Sequence, residues 1–82
     1  MKSIKSTYWY RELRKETCKD TAAQAYKYAT DPEERFEIFK SNETGEDVWA
    51  IAPVSNIGFW MDAKKTKAVA EKLCVSMGWK ML

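Results

Sequence analysis

The sequence predicts a small two-layer α+β domain. It is an antiparallel sheet of three to five strands with two helices packed on one face, in the order β-α-β-β-β-α-β. Three observations carry this reading. Residues 35–61 alternate apolar and polar side chains with period two, broken by two turn clusters. Helical spacing of apolar residues flanks that region on both sides, at Cys18, Ala22, Ala25 and Ala29 and at Val69, Ala70, Leu73, Cys74 and Met77. At 82 residues, the chain is long enough for a single domain, residues 1–82.

Taken in order, residues 4–10 place Ile4, Ser6, Tyr8 and Tyr10 against Lys5, Thr7 and Trp9, and their Thr, Tyr and Trp content favours a strand. A competing pattern takes Ser6 as a helix cap and sets Trp9 and Leu13 on one helical face. Thr17 reads as the cap of the next helix, with Asp20 in its first turn. This helix must end near Thr30, because Asp31 precedes Pro32 and is pushed out of helical angles. Phe36 and Ile38 then share one face of a strand, with Arg35, Glu37 and Phe39 on the other. The cluster Ser41-Asn42-Glu43-Thr44-Gly45-Glu46 is a turn, residues 47–52 return as a strand, and Pro53 ends it. A second turn at residues 55–58 leads to a short strand at 59–61. The last helix opens with Lys64, Lys65 and Lys67 in its first turn and Asp62 as its cap. Gly78 stops it, and Trp79-Lys80-Met81-Leu82 alternates as a closing strand.

Composition bounds the function. The mean hydropathy of -0.57 and the absence of any apolar run near the roughly 20 residues of a bilayer span argue against a membrane protein. Met1-Lys2-Ser3-Ile4-Lys5-Ser6 is basic but leads into no apolar stretch, which reads as no signal peptide and a cytoplasmic location. Cys18 and Cys74 lie on the apolar stripes of their helices and read as small buried hydrophobes, with a disulfide between them as the alternative. The chain has no histidine, and its three glycines fall in no phosphate-loop frame. Two isolated cysteines cannot make a zinc site. A non-enzymatic protein without metal or cofactor is expected.

Charge is unevenly distributed. Residues 1–30 carry +4, residues 31–47 carry -5 and residues 48–82 carry +3. The first expectation is therefore a small protein that binds and regulates or inhibits a partner protein. Its contacts would be Glu43, Glu46 and Asp47 on the acidic hairpin and any outward aromatic among Trp9, Trp49 and Trp60. An exposed aromatic sheet face would equally suit a homodimer. The alternative is nucleic-acid or other anion binding. It would use Lys64, Lys65 and Lys67 at a helix N-terminus, with Arg11 and Arg14 near the N-terminal aromatics. In size, charge and lack of catalytic groups the chain resembles the small accessory proteins of bacteria and their phages, a likeness of type rather than ancestry.

Overall fold

A computed structural model of the chain describes residues 8–43 and 45–82, which fall into two compact units, Met1–Pro32 and Glu33–Leu82. The first holds α1 (Tyr8–Glu16) and α2 (Lys19–Thr30). The second holds β1 (Phe36–Ser41), β2 (Val48–Pro53), β3 (Asp62–Lys64) and α3 (Lys67–Met77). The α+β class and the antiparallel sheet agree with the sequence reading; the order of elements differs at both ends.

The first unit corrects the expected N-terminal strand. Residues 8–10 are helical, and residues 4–7 lie outside the described residues. The strand propensity of Tyr8-Trp9-Tyr10 is overridden by the strong helix formers that follow, Arg11 to Glu16. A Glu12–Lys15 pair one turn apart (3.5 Å) and Arg14 and Lys15 at the negative end of the helix dipole add to this. Thr17 also has the opposite role to the one expected. Its N–H and its hydroxyl both donate to the Leu13 carbonyl (3.0 and 2.6 Å), so it closes α1 and does not open α2. The residue before α2 is Cys18, at extended angles and with no side-chain cap bond. The stripe of α2 is as read at its centre, where Ala22 and Ala25 are buried, but not at its start, where Cys18 is exposed. The small faces of these alanines let α1 approach closely, and Tyr10 meets Tyr26 edge-on at 5.9 Å. Asp31 is extended, as its place before Pro32 requires.

In the second unit the strands run in the order β1-β2-β3, all antiparallel. The register sets Phe36 opposite Pro53, Ile38 opposite Ile51 and Lys40 opposite Trp49, while Ile51 faces Asp62 and Trp49 faces Lys64. These residues share one face of the sheet, and α3 packs on it against all three strands. Ile51, Ala70 and Cys74 have no exposed surface, and Phe36 stacks on Trp79 with centroids 5.1 Å apart. Val69 was expected within the buried stripe but is 48% exposed; the stripe centres on Ala70 and Cys74, one turn apart.

The third strand falls later than read. Within residues 54–60 the chain makes turn bonds, with Asn56 N–H to the Pro53 carbonyl (2.9 Å) and Phe59 N–H to the Asn56 carbonyl (3.0 Å). These hold Phe59 in the loop, and pairing begins only where Met61 N–H reaches the Ile51 carbonyl. At the other end, the closing strand shrinks to one parallel bridge between Phe36 and Met81. Of the two helices expected on one sheet face, α3 belongs to the sheet-bearing unit and α2 to the other.

The ends of α3 follow local rules. Thr66 caps it by accepting from Val69 N–H at 3.2 Å, so Asp62, which lies in β3, is not the cap. Gly78 adopts φ 73, its N–H donates to the Val75 carbonyl and Trp79 N–H donates to the Cys74 carbonyl. A Cβ at Gly78 would meet open space, so Gly78→Ala isolates the cost of left-handed angles. The variant should lose about 1 kcal/mol, read as a lower urea midpoint at unchanged slope.

Candidate binding site

The β1–β2 hairpin brings most of the candidate residues of the second unit together. Its turn closes through Gly45 at φ 91, where a side chain would be strained, and Gly45 N–H donates to the Asn42 carbonyl at 3.0 Å. Glu43, Glu46 and Asp47 all lie exposed at this tip. Asp47 reaches Lys40 at 3.7 Å, and among the described residues no ion pair engages Glu43 or Glu46.

One step down the ladder, Trp49 sits between Lys40 on β1 and Lys64 on β3. Lys67, in the first turn of α3, lies over the Trp49 ring at 5.8 Å. A half-buried indole is thus framed by three lysines on the helix-bearing face. Two of them already carry a carboxylate: Lys40 has Asp47, and Lys64 has Asp62 at 3.4 Å. Trp60 belongs elsewhere, meeting Phe39 edge-on at 6.1 Å on the opposite face of the sheet. Trp49 and Trp60 therefore do not form one aromatic surface.

The remaining candidates scatter. Trp9 is 7% exposed, so it is not an outward aromatic. Arg11 and Arg14 are exposed on α1, in the other unit. Lys64 and Lys65 precede α3, with Lys65 exposed, and only Lys67 of the three lies within the helix. The expected crowd of cations at a helix N-terminus is therefore divided between β3 (Lys64), the connection (Lys65) and α3 (Lys67), and Thr66 already occupies the Val69 N–H there. Lys40 is the contact that sequence reasoning missed. Folding the hairpin about its turn in register with Trp49 would have found it.

Comparison with family models, with characterised proteins and with solved structures finds no match. The site must be judged on its own chemistry. Among the described residues no group of three or more Cys, Asp or Glu side chains is placed to hold a metal ion, and no helix is long and apolar enough to cross a membrane.

The two cysteines are both free thiols in contrasting settings. Cys18 is exposed rather than buried as expected, and its thiol lies 3.1 Å from the Thr21 hydroxyl. That hydrogen bond, followed by backbone ones, lowers its pKa. Cys74 is fully buried, and desolvation first, then Glu71, pushes its pKa up to about 11. A thiol reagent at neutral pH should modify Cys18 rapidly and Cys74 on the order of 100-fold more slowly, with both reacting in denaturant. Mass mapping after a timed pulse checks this, and equal native rates would contradict the burial of Cys74.

Proposed function

We propose that this chain is a small non-enzymatic binding protein, of the accessory type found in bacteria and their phages, that regulates or inhibits a partner protein. It acts in the cytoplasm without a cofactor. The observation that supports this reading best is the exposed carboxylate tip of the β1–β2 hairpin. Glu43 and Glu46 stand on a turn whose ends are held in register by a six-residue ladder on each side. Such a projection complements a basic surface and steers encounter with it. The adjoining Trp49 supplies an aromatic contact beside the charges.

Reversing Glu43, Glu46 and Asp47 to Lys tests the reading. These residues are exposed, so the fold should survive, with at most ~1 kcal/mol lost from the Lys40–Asp47 pair. Capture of the native partner from the host, followed by mass spectrometry, should drop at least ~100-fold in the variant. Undiminished capture by a folded triple variant would sink the proposal.

A second reading, nucleic-acid binding, draws on the stack of Lys67 over Trp49 and the neighbouring Lys40 and Lys64. It ranks lower because Asp47 and Asp62 already neutralise two of those lysines. Three phosphate contacts to a single strand would give a log–log salt slope of about -2. A polarisation titration with labelled single-stranded DNA and RNA showing no binding at low salt removes it.

A further inference from the structure

We propose that the outer face of α3 pairs with the same face of a second copy of this chain, antiparallel about a two-fold axis. Ala68, Glu71, Lys72 and Val75 follow one another at spacings of three, one and three residues, which puts all four on one stripe of the helix. That stripe lies away from the buried one of Ala70 and Cys74. Ala68, Lys72 and Val75 are exposed and Glu71 is half-buried.

The order of these side chains is symmetric about the point midway between Glu71 and Lys72. A two-fold axis there sets Glu71 opposite the partner's Lys72, and Lys72 opposite the partner's Glu71. It also sets Ala68 against the partner's Val75, and Val75 against the partner's Ala68. An isologous interface requires that each such meeting occur twice, and here every one joins opposite charges or two apolar groups. Val75, 69% exposed, loses contact with water beside a residue small enough not to crowd it.

The charges select this occupant. Among the described residues no ion pair engages Glu71 or Lys72. A partner surface of a single sign would meet one attraction and one repulsion at this adjacent pair, whereas the antiparallel copy satisfies both. A parallel copy would set Glu71 against glutamate and Lys72 against lysine. Helix polarity points the same way. α3 has no acidic residue in its first turn and no basic residue in its last, and Lys65 stands exposed just before it. In the antiparallel pair the two macrodipoles oppose one another, and Lys65 falls opposite Gly78 of the partner subunit, at the negative end of that helix. An eleven-residue helix is about 16 Å long. The contact therefore falls below the roughly 1,200 Å² of a standard interface, and the dimer forms only at high micromolar concentration.

This face shares no residue with the carboxylate tip, so failure of either proposal leaves the other standing. Sedimentation equilibrium of the full chain, from tens of micromolar to about 1 mM, should show a shift from monomer towards dimer. Glu71→Lys and Lys72→Glu should each weaken association roughly ten-fold, because each turns two attractions into two repulsions. An equimolar mixture of those two variants should recover the native association, and so should the double variant E71K/K72E. A purely structural role for either residue would produce no such recovery. Circular dichroism checks that each variant folds. If Glu71→Lys, at a half-buried position, does not, the native chain and Lys72→Glu decide. A native chain that stays monomeric throughout overturns the proposal, as does a dimer indifferent to the single substitutions or not restored by mixing.

Discussion

Replacing Phe36 by Ala should destabilise the sheet-bearing unit by about 3–5 kcal/mol. Phe36 is 2% exposed and stacks on Trp79, and its backbone carries both hydrogen bonds to Lys80 and Leu82. Truncation opens a cavity at the point where β1, the end of α3 and the C-terminal bridge meet. Total stabilities of domains this size are only about 5–10 kcal/mol, so the loss is a large fraction of the whole. Phe39→Ala provides the contrast. It lies on the other face, half-buried against Trp60, and should cost about 1–2 kcal/mol. Denaturant midpoints followed by tryptophan fluorescence measure both, and a Phe36→Ala protein within about 1 kcal/mol of the parent would contradict the stacked core.

The second large effect is an alkaline loss of stability that originates at Cys74. Burial raises this thiol's pKa from 9.0 to about 11 in the folded chain, with Glu71 adding to the rise. The native state therefore keeps the proton after the unfolded chain has released it. The stabilising contribution is complete below about pH 9, and it declines as pH rises towards about 11. The full displacement corresponds to about 2–3 kcal/mol. Tyrosines and lysines also titrate in this range, so the comparison is with Cys74→Ala, which keeps a small apolar side chain beside Ala70. Unfolding free energies from pH 8 to pH 11 should fall more steeply in the parent than in the variant. Parallel curves would show that Cys74 contributes nothing to the alkaline limb.

The candidate site was legible in pieces. Its acidic tip could be read directly, because Asn, Glu, Asp and Gly45 cluster between two alternating segments and such clusters become exposed turns. The lysines could be listed but not assigned. Lys64 and Lys65 looked like the first turn of a helix because nothing local distinguishes a short strand such as Asp62–Lys64 from a helix entry. The framing of Trp49 by Lys40, Lys64 and Lys67 depends on cross-strand register and on where α3 lands. Those contacts join residues up to 18 positions apart, beyond the reach of any local periodicity.

What the sequence determined by itself is the part governed by short-range chemistry. Gly78 ends α3, Pro32 ends α2, Pro53 ends β2, and alternation places Phe36 and Ile38 on one face. In each case a backbone angle, a missing N–H or a side-chain period acts within a few residues. Tertiary structure decided the rest. Residues 8–10 fold as helix because α1 is stabilised along its whole length and by Tyr10 against Tyr26, which outweighs the strand preference of three aromatics. The third strand starts at Asp62 because turn bonds hold the chain near Phe59 before pairing with β2 begins. The closing segment meets the sheet at the Phe36–Met81 bridge, because Phe36 turns its N–H and C=O to the outer edge of β1, where they bond Lys80 and Leu82. Each of these outcomes is a competition between a local preference and a partner distant in sequence, and only the folded chain shows which partner is present.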